Sequence, residues 1–178
     1  MQLYYLAILI AYIYIVNIYS AYELKTCGGG LFWTACSINK PPTYKNAITN
    51  ELGILGAIRL YNSGASSLYL DKALLLWSWF ENSGMISQTR PIIDGLSSKT
   101  CKVTGNLYTY NSGVILYALS ELTTATKNTT LMDIACDVAD ISIKHFSESQ
   151  NNNNILQVYL LLVNISFISL FKISFIRY

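Results

Sequence analysis

The sequence predicts an all-α protein assembled from paired helical hairpins. Four stretches between residues 47 and 146 place apolar side chains at i, i+3, i+4 and i+7 spacing. These stretches fall into two pairs, each with a short inner connection, separated by a long connection over residues 84–110. The second pair also repeats the first. At an offset of 61 residues Asn50 falls on Asn111, Leu55 on Leu116, Ala57 on Ala118 and Leu70 on Leu131.

The first helix is expected over Ala47–Asn62, where Ile54, Ala57, Ile58 and Tyr61 form one stripe and Gly64 follows as a stop. Asn46 or Thr49 is placed to cap its start. The second is expected over Leu68–Asn82, with Tyr69, Ala73, Leu76, Trp77 and Phe80 on one face and Gly84 just beyond, where a left-handed residue ends a helix. Ile115, Ala118, Leu119 and Leu122 mark a third helix over 111–126. Leu131, Ile134, Ala135 and Val138 mark a fourth over 130–146. A hairpin of this kind buries its apolar face only by stacking on neighbours, so the repeat implies an α-solenoid or a closed α/α toroid. Its period exceeds that of the common helical solenoids and favours the toroid. In a toroid the long connections line a central cleft.

Composition narrows the function. The chain has 178 residues, 52% hydrophobic and 12% charged, with a formal charge of +2. It has no clustered basic field of the kind that tracks nucleic-acid phosphates, so no nucleic-acid partner is expected. The charge is uneven. Residues 1–22 carry none and hold six of the fourteen tyrosines, whereas residues 23–150 hold all ten carboxylates. Residues 151–178 open on four asparagines and then turn apolar. The apolar N-terminal segment reads as a signal or membrane anchor, a buried helix, or a stretch foreign to the fold. The C-terminal tail reads as a lipid-spanning helix, a lipid-anchor signal or translated non-coding sequence. Membrane association through either end is therefore open.

The chemistry-bearing residues lie in the connections. Cys27-Gly28-Gly29-Gly30-Leu31-Phe32-Trp33 lacks the Lys-Ser/Thr of a phosphate loop, and its glycines give Trp33 the backbone freedom to reach a cleft. An indole face stacks on the axial C–H groups of a sugar ring. Lys45, Asn46 and Asn50 offer hydrogen-bond groups at the start of the first helix. Asp94 and the run Tyr108-Thr109-Tyr110-Asn111 lie in or after the long connection. Such neutral, aromatic-rich surroundings suit a polyhydroxylated ligand. Glu51 is read as a helix-dipole or capping residue, and Asp133, Asp137 and Asp140 as a solvated face. His145 is read as a C-terminal dipole partner. One histidine and scattered cysteines indicate neither a metal site nor a cofactor.

The ordered set GGGLFW, YKNAITNEL, WSWFENSGMI, DGL, the cysteine at 101 and YTYNSGVILYALSEL resembles glycoside hydrolase family 76 across roughly residues 25–147. The resemblance implies an (α/α)6 barrel, here incomplete, and an endo-1,6-α-mannanase lineage that includes fungal cell-wall proteins. It places Trp33, Lys45, Asn46, Asn50, Asp94, Tyr110 and Asn111 around a mannan-binding cleft. Family members carry adjacent catalytic aspartates ahead of the glycine-aromatic motif. This sequence contains no Asp-Asp, and its first carboxylate of any kind is Glu23. Glycoside hydrolysis ordinarily needs two carboxyl groups, so the chain is expected to be inactive, with no catalytic residues of its own.

Cys27 and Cys101 each flank a cleft motif and are expected to pair, while Cys136, inside an amphipathic helix, is expected to be a buried free thiol. Asn128-Thr129-Thr130 is the more accessible of two glycosylation sequons, the other beginning at Asn164. The expected organisation is an apolar segment over 1–22, a partial family 76 domain over 23–150 and an apolar tail over 151–178. The expected location is secreted, in the cell wall, or on the outer face of a membrane. Alternatives are a non-catalytic mannan-binding or membrane-tethered module, and a helical-repeat protein whose open apolar edges meet a partner.

Overall fold

The computed structural model describes residues 22–34 and 42–148. Elements run β1 (Tyr44–Asn46), α1 (Ala47–Asn62), α2 (Leu68–Asn82), β2 (Ile93–Ser97), β3 (Val103–Leu107), α3 (Thr109–Thr126) and α4 (Thr130–Glu148). The four helices are those expected, with α3 starting at Thr109 and α4 reaching Glu148. Gly84 follows α2 with φ +81°, a left-handed conformation that a side chain resists. Lys127 does the same work after α3 at φ +60°. Asn46 is the residue preceding α1, but its side chain makes no capping bond. The apolar ends, Cys36 and the Asn164 sequon lie outside the described residues.

The all-α expectation is corrected by a small antiparallel sheet in the order β1-β2-β3. Tyr44 pairs with Ser97 and Asn46 with Gly95, while Ile93 pairs with Leu107 and Leu96 with Val103. β1 has three residues and is too short to show a period. β2 and β3 have five each, with Ser, Asn and Gly among them, so they read as loop. Physically the sheet is what organises the long connection. β1 runs directly into α1, and a single residue, Tyr108, separates β3 from α3. Both helices therefore start from one sheet, at one end of the molecule.

α1 packs against α2 and α3, and α3 packs against α4. Ile54 and Ile58 of α1, Leu76 and Phe80 of α2, Ile115 and Leu119 of α3, and Leu131 and Val138 of α4 share one core with Leu31 and Leu96. Burying each such side chain contributes about 1.5–3 kcal/mol. Two hairpins joined through α1 and α3 thus form one unit, with α2 and α4 on its outside.

Candidate functional site

The glycine-rich segment is built as a closed loop against α1 and α2. Gly30 has φ +84° and lies on the Trp79 ring so closely that a Cβ would overlap it. Trp79 in turn donates its indole N–H to the Cys27 carbonyl at 2.9 Å. Asn50 holds the next residue with its amide, accepting from Leu31 N at 2.8 Å and donating to Leu31 O at 3.0 Å and Asn46 O at 2.7 Å. The disulfide Cys27–Cys101 ties this loop to the turn between β2 and β3.

Lys45 lies beneath the loop and is fully buried. Its ammonium donates to the carbonyls of Glu23 at 3.2 Å, Thr26 at 2.7 Å and Gly29. Its charge sits 4.6 Å from the Phe32 ring centroid and 4.0 Å from the Glu23 carboxylate. Burial pulls its pKa down, and Glu23 partly opposes that. Lys45 and Asn50, expected to offer donors to a ligand, spend them within the protein. Three N–H groups with three carbonyl partners leave none over, and both Asn50 amide protons are used.

What the loop presents outward is aromatic. Trp33 N donates to Tyr44 O at 3.0 Å, which sets the Trp33 indole edge-on to the Tyr44 ring, with centroids 6.4 Å apart. Trp33 is 63% exposed. Tyr108 and Tyr110 bracket the start of α3 with parallel rings, 5.1 Å between centroids and 11° between planes, and both are exposed.

Asp94 lies between these aromatic groups at an irregularity in the β2–β3 register, between Ile93 and Gly95. Such bulges re-aim a side chain. Asp94 Oδ2 accepts from the Tyr44 hydroxyl at 2.8 Å, and Oδ1 accepts from Asn111 Nδ2 at 3.5 Å. Burial, and then Asp94, raise the Tyr44 phenol pKa. The same causes raise that of Tyr110. Asn111 itself is fully buried, as is the side-chain oxygen of Asn46.

Glu51 is the residue that sequence reasoning misplaced. It is 0% exposed, and neither carboxylate oxygen has a partner. Burial raises its pKa well above the ordinary value, with Asp94 as the further cause. It is no surface capping group. The available signal was periodicity: Ala47, Asn50, Glu51, Ile54 and Ile58 lie on one buried face of α1. Asp133, Asp137 and Asp140 are exposed. Cys136 is free, but it is exposed rather than buried, on the outward side of α4. Asn128 is exposed just before α4, and its Oδ1 accepts from Thr130 N at 3.1 Å. Among the described residues no helix is long and apolar enough to cross a membrane.

Helical hairpins joined by inner helices, with a polar and aromatic cluster gathered where those helices start, define a segment of an α/α toroid. The family model for glycosyl hydrolase family 76 matches residues 10–160, and the chain belongs to that family. It is 29% identical to the mannan endo-1,6-alpha-mannosidase Dfg5 of Saccharomyces cerevisiae over 117 residues, 64% of this chain and 26% of that protein. Among solved structures, the Lin0763 protein from Listeria innocua superposes with TM-score 0.66 at 24% identity, covering 79% of this chain and 41% of that one. An inactive variant of the α-1,6-mannanase GH76A of Salegentibacter, with two adjacent aspartates replaced by alanine and α-1,6-mannotetraose bound, superposes with TM-score 0.61. That match has 22% identity and covers 71% of this chain and 37% of the mannanase. The chain spans about a quarter of the length of the curated relatives it matches.

Proposed function

We propose that residues 23–150 form part of an α-1,6-mannan-binding cleft, and that this chain binds mannan without hydrolysing it. The observation that carries the reading is the grouping around Asp94, whose carboxylate is fixed by Tyr44 and Asn111 beside the exposed Tyr108–Tyr110 stack. A carboxylate held by two donors keeps lone pairs for sugar hydroxyls. Parallel tyrosine rings and the exposed Trp33 offer faces for pyranose C–H groups. Names of relatives that specify mannan endo-1,6-alpha-mannosidases support the choice of polymer.

Hydrolysis requires one acid at the leaving oxygen and a second carboxylate as nucleophile or base. The sequence has no adjacent aspartates. Asp94 supplies one carboxylate, and Glu51, which could be the second, is sealed from solvent and from any glycosidic oxygen. In this reading Trp33, Asp94 and Tyr110 contact sugar, while Asn46 and Asn111 form the buried floor beneath them. The Cys27–Cys101 disulfide and an exposed Asn128 sequon suit secretion and a place in the cell wall.

Calorimetric titration of the chain with α-1,6-mannotetraose tests the proposal. Binding that weakens at least about tenfold in Tyr110→Ala and in Asp94→Ala supports it. Affinity that is absent, or indifferent to both substitutions, overturns it.

A further inference from the structure

The buried floor of the site contains an imbalance of hydrogen-bonding groups. Asn46 Oδ1, Asn111 Oδ1 and both oxygens of Glu51 are buried without a partner. All four atoms are acceptors if Glu51 is ionised. Rotating the Asn111 amide does not cure the deficit, because its Nδ2 is the group that reaches Asp94. A single proton on Glu51 adds a donor to this group of acceptors.

The charges around Glu51 point the same way. Asp94 on β2 acts on it through charge, and it acts in the same way on the Tyr110 phenol of α3. β1 brings Tyr44, whose hydroxyl is directed to Asp94, and Lys45, whose ammonium is held by the loop carbonyls. On α2, Asp71 and Glu81 are exposed, and Lys72 lies over the Tyr69 ring. Among the described residues no cation acts on Glu51, and an unpaired buried carboxylate is far costlier than a neutral acid. When two carboxyl groups interact, the site settles on the arrangement in which the more buried one holds the proton.

We infer that Glu51 is a neutral, proton-holding acid that positions Asp94 for the sugar. This deepens the mannan-binding reading and rests on it for its ligand. A neutral Glu51 is a donor to the buried floor and leaves the negative charge on Asp94, where hydroxyl groups can use it. An ionised Glu51 would set two like charges against each other beneath the face that meets the ligand. Glu51 touches no sugar, so it is a positioning residue and not a catalytic one.

The test is side-chain carboxyl NMR on the full chain labelled with ¹³C-glutamate and ¹³C-aspartate. The Glu51 signal is assigned by its loss in Glu51→Gln and the Asp94 signal by its loss in Asp94→Asn. The expected result is a Glu51 carboxyl that stays protonated at neutral pH. The Asp94 signal should be unchanged in Glu51→Gln, which mimics the neutral acid, and displaced in Glu51→Leu. Mannotetraose affinity should survive Glu51→Gln and fall at least about tenfold in Glu51→Leu.

A Glu51 signal that titrates in the ordinary carboxylate range overturns the inference, as does one displaced by added calcium, which would mean that a cation serves the orphaned oxygens. Equal affinity in the Gln and Leu variants overturns the positioning role. If Glu51→Leu does not fold, the unsubstituted chain and Glu51→Gln still decide the protonation state. Failure of the unsubstituted chain to bind mannotetraose, with Glu51 protonated, would count against the mannan reading alone.

Discussion

The Tyr44 hydroxyl donates to Asp94 Oδ2 at 2.8 Å, linking β1 to the bulged residue of β2 and fixing the carboxylate between two aromatic surfaces. The bond is charge-assisted, and Asn111 at 3.5 Å is too distant to replace it. Tyr44→Phe removes the donor and keeps the ring that meets Trp33. The expected cost is about 1.5 kcal/mol in urea denaturation, with a weakening of mannotetraose binding of about tenfold in calorimetry.

Lys45 governs the glycine loop rather than the ligand. Lys45→Met keeps much of the apolar stem under Phe32 and Trp79 but takes the ammonium from the carbonyls of Glu23, Thr26 and Gly29, leaving Thr26 O only the Gly29 N–H at 3.4 Å. At roughly 1–3 kcal/mol for each acceptor left short, a loss of about 3 kcal/mol or more is expected. Denaturant unfolding measures it. Proteolysis of the loop should accelerate in the same variant.

Two neighbouring glycines separate backbone strain from steric overlap. Gly28 has φ +72° with open space where a Cβ would stand, whereas Gly30 has φ +84° and faces the Trp79 ring. Gly28→Ala should cost about 1–2 kcal/mol, the left-handed penalty alone. Gly30→Ala should cost distinctly more, because the ring must move as well. Comparing the thermal midpoints of the two variants checks the difference.

The charge state of Glu51 also sets a pH dependence of stability. Its folded pKa is raised, so the folded chain keeps a proton that the unfolded chain releases above its ordinary value of 4.5. The unfolded state then binds fewer protons, and stability falls as pH rises, at about 1.4 kcal/mol per unit, until Glu51 ionises in the folded state. Below pH 4.5 both states hold the proton and the effect vanishes. Glu51→Gln has no such slope and should gain on the unsubstituted chain as pH rises. Parallel denaturation curves across that range measure the gain.

The helices were legible because α1 to α4 are long enough to show a period, and because the Asn50–Asn111 repeat marks their pairing. The sheet was not, since β1 is three residues long and derives its stability from partners about fifty residues away. Tyr110, Trp33 and Asp94 stand out in the sequence because aromatics and a carboxylate in the connections are unusual in a chain with so few charges. The internal bonding of Lys45 and Asn50 was not legible for a physical reason. A lysine normally reaches water, and only the loop folding back from residues 23–31 supplies the carbonyls that bury this one. Glu51 was misread because a carboxylate near a helix start has a ready electrostatic explanation, which its place on the buried face of α1 overrides.

Saturation-transfer NMR on α-1,6-mannotetraose, followed over a day with the chain present, addresses recognition and chemistry together. The proposed cleft, binding mannan without hydrolysing it, predicts transfer to sugar C–H protons and a tetrasaccharide that stays intact. Absence of transfer, or new reducing-end signals from shorter mannose chains, would contradict the account.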